Sequence, residues 1–153
     1  MITRRTQSGV ALIELAITIG VLVTIVFGIT EFGRAIYQYN TLAKAARDAV
    51  RYLSTKAPGD ATGIAEAQCF AVFGNPACTG SPLASGLTTA MVSVCDATSC
   101  AGTHQSQGAT PVINLVTVTI GGANSPYTFN SIVQFVVPNF AFGPISATMR
   151  QVL

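Results

Sequence analysis

From Gly9 to Thr30 the chain reads GVALIELAITIGVLVTIVFGIT, apolar or small at every position except Glu14. A helix needs about 20 such residues to cross the hydrocarbon of a bilayer, so one transmembrane helix is the expectation. A secretory signal peptide is the rival, because the preceding MITRRTQS supplies a basic segment. The apolar run, however, exceeds the usual length of about 7 to 15 residues, and no A-x-A-like site follows it. Arg4 and Arg5 precede Thr-Gln-Ser rather than an apolar stretch, so the pair reads as the positive flank of a span rather than a twin-arginine export signal.

Charge is scarce elsewhere. The 153 residues carry 8 Lys+Arg and 6 Asp+Glu, or 9% charged, against roughly 25% in soluble domains. This excludes a disordered charged tail and an ordinary cytosolic domain, and leaves a membrane-associated or secreted chain. Arg4 and Arg5 account for the whole positive excess of +2, so there is no basic footprint for nucleic acid.

Cys69, Cys78, Cys95 and Cys100 fall in turn-rich sequence with eight, sixteen and four intervening residues. An even number in such a setting points to disulfides in an oxidising compartment. Free thiols and a metal site are the alternatives, but zinc pairs are usually about two to four residues apart and His104 is the single histidine. No metal or other cofactor is expected. Neighbours in sequence close most readily, which predicts Cys69–Cys78 and Cys95–Cys100, although four cysteines allow three connectivities. The cysteines also orient the span. Arg34, Lys44 and Arg47 rival Arg4 and Arg5 as flanking charge, but oxidised cysteines place the C-terminal part outside the cytoplasm and the N-terminus inside.

Glu14 is the anomaly, since a carboxylate in a membrane helix costs about 2.5 to 3.5 kcal/mol near the centre unless it is paired. The sequence S-G-V-A-L-I-E-L, with a short basic leader, Gly9, four apolar residues and Glu14, resembles the cleavage region of type IV pilin-like proteins. The resemblance implies that a prepilin peptidase cuts between Gly9 and Val10, and that Glu14, then the fifth residue, meets a new α-amino group. Small residues at Ala16, Gly20, Thr24 and Gly28 form an i±4 ridge that allows close helix packing in lipid.

Helical periodicity continues beyond the span through Phe32, Ala35, Ile36, Tyr39, Leu42, Ala43, Ala46, Ala49, Val50 and Leu53, with Lys44, Arg47, Asp48 and Arg51 elsewhere. A single helix from Val10 to about Ser54 would be roughly 68 Å long, and Pro58 and Gly59 would end it. The segment from Ile29 to Tyr52, ITEFGRAIYQYNTLAKAARDAVRY, resembles the E-F-G-R…Y…L…A-A-R…A-R-Y pattern of TadE-like proteins, minor pilins of the tight-adherence (Tad or Flp) pilus. The closing stretch from Phe135 to Arg150 is similar to that family's last segment. Leu15 and the chain's length depart from the major Flp pilin. The resemblance therefore implies a minor pilin or pseudopilin, with the prepilin peptidase, other pilins, the Tad assembly platform and the lipid bilayer as partners, in the bacterial inner membrane.

Beyond the helix, Gly63 to Gly74 suits a short helix with Ile64, Ala67, Cys69, Phe70 and Phe73 inward. Strand-like runs follow at Thr89–Cys95, Val112–Ile120, Tyr127–Val137 and Ser146–Val152, and Gly121–Pro126 suggests a hairpin between the second and third. The reading is α+β: a long N-terminal helix packed on a small antiparallel sheet of four strands, with a short helix. Its organisation is a leader at 1–9, span at 10–30, outer amphipathic helix at 31–57 and disulfide-containing domain at 58–153. Ala101 to Pro111 reads as a polar surface excursion in which His104 is solvated. No nucleophile or acid–base set appears, so an enzyme is not expected. An unprocessed single-pass adhesin or sensor module is the alternative function, and a secreted disulfide-linked enzyme the more distant one.

Overall fold

A computed structural model describes residues 8–105 and 113–152. The leader residues Arg4 and Arg5, most of the 101–111 excursion and the first residue of the second strand-like run, Val112, lie outside the described residues. The first element, α1, is one helix, Ser8–Leu53, of 46 residues. Thr18, Thr24 and Thr30 fit within its apolar half because each hydroxyl donates to the carbonyl four residues earlier, at 2.8 to 2.9 Å. In the second half Ala35, Leu42, Ala45, Ala46, Ala49, Val50 and Leu53 are buried, and the alanines let the next layer approach the backbone. Phe32, Ile36 and Tyr39, expected inward, are exposed instead. The stripe is wider than the domain that covers it.

Gly59, at φ +78°, turns the chain after Pro58, and Asp60 caps α2, Ala61–Phe73, by accepting from Thr62 N at 3.1 Å. Gly74, at φ +74°, ends it with its amide on Phe70 O, a left-handed cap for which glycine is suited. Helix α2 buries Gly63, Ala67, Cys69, Ala71 and Val72; Ile64, Phe70 and Phe73 are only half-buried. Phe70 lies against the Tyr52 ring at 4.8 Å, and the Tyr52 hydroxyl donates to Glu66.

The main sheet is antiparallel in the order β1-β2-β5, comprising β1 (Val92–Cys95), β2 (Leu115–Ile120) and β5 (Ile145–Arg150). Register pairs Val94 with Val118 and Val118 with Ala147. Val116, Val118 and Ile120 point into the core with Leu42, Ala46, Ala49 and Val50, so β2 alternates as its sequence indicates.

The third strand-like run is a correction. Of Tyr127–Val137 only β3, Thr128–Phe129, is a strand, and it pairs with β4, Phe140–Ala141, in a separate two-stranded sheet. Both edges of β2 are already occupied by β1 and β5, so no place remains beside it. Between 130 and 139 three amides find local partners instead: Val136 N and Val137 N donate to Val133 O, and Ser131 N to Asn139 Oδ1. An aromatic cluster of Tyr127, Phe129, Phe140 and Phe142 joins this hairpin to Tyr39 on α1. His104 is also a correction. It ends a one-turn helix, α3 (Ala101–His104), and its ring nitrogens lie 2.8 Å from the Thr103 and Thr117 hydroxyls, half-buried against the sheet.

Candidate functional site

The exposed half of α1 and the junction where it meets the domain carry most of the residues singled out by sequence. From Gly9 to Phe27 every residue of the helix is exposed, and its most apolar window is not covered by the rest of the chain. Fully burying one large aliphatic side chain is worth about 1.5–3 kcal/mol, so this row calls for an apolar surrounding. Among the described residues, α1 is the one helix long and apolar enough to cross a membrane.

Gly9 and Val10 lie at the N-terminal end of the described part of α1. Glycine weakens a helix by about 1 kcal/mol relative to alanine, and both residues are exposed, so this peptide bond is open to approach. Glu14 stands one turn above Val10 on the same face. Its carboxylate is exposed, and among the described residues the ion pairs are Arg34–Glu31 and Lys56–Glu66. Of the small-residue ridge, Ala16, Gly20 and Thr24 are open, and no atom would lie within 4 Å of a Cβ on Gly20. Gly28 differs: a Cβ there would meet Val136 Cγ1 at 3.6 Å. The ridge thus runs free for three steps and ends under the protein's own loop.

Immediately above, Glu31 is 2% exposed. Arg34 Nη1 donates to both of its carboxylate oxygens, at 2.9 and 2.7 Å, and the Ile132 amide donates to Oε2 at 3.3 Å. The guanidinium also lies 5.4 Å from the centre of the Phe129 ring. Sequence reading quoted Glu31 and Arg34 within a motif without assigning them a task. The available signal was their opposite charge at i,i+3 just past the apolar run.

Farther along the chain the four cysteines are paired, Cys69 with Cys78 and Cys95 with Cys100, at Cα separations of 4.8 and 5.6 Å. The second bridge closes a loop organised by Asp96, which is 2% exposed. Asp96 Oδ1 accepts from Thr98 N, Ser99 N and Ser99 Oγ at 2.7 to 3.0 Å, and Oδ2 accepts from Gly59 N at 2.7 Å. Burial alone would raise the Asp96 carboxyl; the amides of Ser99, Gly59 and Thr98 and the Ser99 hydroxyl outweigh it and hold the group below the ordinary carboxylate range. Asp followed by Ser three residues later is the local sequence sign of such a turn. Ligand atoms of Cys95, Cys100 and His104 come within 4.8 Å of one another. The two sulfurs are bonded to each other and the imidazole is engaged by threonines, so the donor set does not suit a metal ion.

Residues 9–51 match the family model described as TadE-like protein. No curated protein and no solved structure matches the chain. The match covers nearly all of α1 and stops there, so the N-terminal helix is TadE-like, in keeping with a TadE-like protein of the Tad pilus system. The resemblance of Phe135–Arg150 to that family's closing segment rests on the sequence alone.

Proposed function

We propose that this protein is a minor pilin or pseudopilin of a Tad (Flp) pilus, a structural subunit for surface adhesion rather than an enzyme. The observation that carries this reading is α1 itself: one TadE-like helix, bare along its first half and packed against a small domain along its second. In the proposed sequence of events, the prepilin peptidase cuts between Gly9 and Val10 on the cytoplasmic side of the bacterial inner membrane. The helix remains in the bilayer with the disulfide-containing domain outside, and the assembly platform then moves the subunit among other pilins. The open ridge Ala16, Gly20 and Thr24 would meet neighbouring helices in lipid, and the exposed Ile36 and Tyr37 would meet them above it. The Val10 amine released by cleavage would pair with Glu14, its own or a neighbour's, when the subunit becomes competent to assemble.

An unprocessed single-pass adhesin or sensor module would share the same helix. Intact mass and N-terminal sequencing of the membrane-associated protein separate the two readings. A chain beginning at Val10 supports the pilin reading, and one beginning at Met1 overturns it.

A further inference from the structure

Between Asp96 and Arg150 the sequence contains no Asp, Glu, Lys or Arg. Within that stretch, loop 130–139 presents large apolar groups outward: Ile132 is 74% exposed and Phe135 80%. Surface loops ordinarily carry polar residues at such positions. The place of this loop on the molecule supplies a reason. Val136 lies over Gly28, and the Ile132 amide is bonded to Glu31, so both attachments fall at the end of the apolar run. Counted from Val10 at 1.5 Å per residue, Gly28 is about 27 Å along a helix that crosses roughly 30 Å of hydrocarbon. The exposed helix residues at this level are Phe27, Ile29 and Phe32, which continue the same apolar surface.

We propose that loop 130–139 seats the domain on the bilayer, with Ile132 and Phe135 inserted into the interfacial region of the leaflet on the domain's side. The inference rests on the reading of residues 10–30 as a membrane span. Each backbone amide bonded within the protein lowers the cost of approaching the apolar interior of the leaflet. The amides of Ser131, Ile132, Val136 and Val137 each donate to a protein acceptor. The neighbouring charges, Glu31 and Arg34, are paired with each other. A lipid surface suits a patch with apolar tips and no charged group of its own, whereas protein partners are commonly held by Arg and Tyr anchors at the centre of the contact. The loop would fix how deeply the helix sits and would keep the domain from tilting.

The chain contains no tryptophan, so single substitutions make clean probes. Phe135→Trp, Ile132→Trp, Val23→Trp and Val152→Trp would each be placed in the full chain, in vesicles of phosphatidylcholine and phosphatidylglycerol, with circular dichroism to verify folding. Val152 lies beyond the end of α1, its amide bonded to Ser54 O, and serves as the water-exposed reference. The expected result is blue-shifted emission from the two loop probes, quenched by lipids brominated near the headgroup and insensitive to aqueous iodide. Val152→Trp should be quenched by iodide alone, and Val23→Trp by lipids brominated deep in the chain. Loop probes open to iodide while Val23→Trp is quenched by deep bromine would overturn the proposal and leave the span intact. Loop probes shielded from both quenchers would overturn it in favour of a protein cover. A Val23→Trp probe unaffected by brominated lipid would overturn the span and the seating together.

Discussion

Two carboxylates at opposite ends of the molecule illustrate how differently an acidic side chain can be accommodated. Glu14 has no partner among the described residues, and its proposed partner is an amine that leader removal would create. A unit-charge pair near 4 Å is worth about 4 kcal/mol at an effective dielectric of 20, comparable to the cost of inserting the charge. Glu14→Leu should therefore insert in the membrane at least as stably, keep both disulfides, and fail to co-purify with pilus components. Piliation at wild-type levels in that variant would reduce Glu14 to a tolerated interfacial residue. Asp96 is instead fully engaged by its own loop and by Gly59. Its folded carboxyl titrates below the unfolded value of about 3.9, so its contribution is complete above that value and is lost as the pH falls through the lower, folded pKa. Asp96→Asn removes the acceptor for Gly59 N and should cost about 1–3 kcal/mol at neutral pH. Thermal unfolding of the detergent-solubilised chain should show that deficit shrinking in acid; a constant deficit down to about pH 2 would refute the assignment.

At the scale of an element, α1 is two helices in physical terms although it is one in geometry. Its second half is held by the core, where Leu42 is fully buried, and its first half is exposed from Gly9 to Phe27. The same change should therefore have opposite consequences along one helix. Leu42→Ala should destabilise the domain by about 2–5 kcal/mol through the cavity it leaves. Leu22→Ala should leave the domain's unfolding midpoint unchanged and act only on membrane retention. Denaturant unfolding in micelles, followed in parallel with fractionation, distinguishes the two, and a similar loss of midpoint in both variants would mean that the first half packs on the domain. The Cys69–Cys78 and Cys95–Cys100 bridges close loops of only nine and five residues in sequence separation. They remove little chain entropy and should each contribute at or below the low end of about 2–4 kcal/mol.

For the whole molecule, the proposed function turns on a single covalent event. Gly9→Leu should accumulate as a full-length precursor that is held in the membrane with its disulfides formed, because the proposed cleavage point is far from the domain. Mass spectrometry of the membrane fraction reads this directly, and normal processing of Gly9→Leu would remove the basis for placing the cut there. The consequence for assembly follows from geometry, since an unprocessed chain keeps Gly9–Val10 as an internal peptide and offers no amine to Glu14.

The long helix, its end near Ser54 ahead of the breakers Pro58 and Gly59, the short second helix and the alternating face of β2 were all legible in the sequence. Each depends on periodicity or on breaker residues acting within a few positions. What the tertiary structure alone decided is which distant groups meet. The apolar run after Tyr127 reads as a strand by composition, but a strand needs a free edge, and β1 and β5 leave none on β2. The same run supplies the amide that meets Glu31 across 101 residues of chain. Asp96 likewise reaches Gly59 across 37 residues. Local pattern specifies what a segment can form, whereas edge occupancy and burial, which are properties of the assembled fold, select its partners.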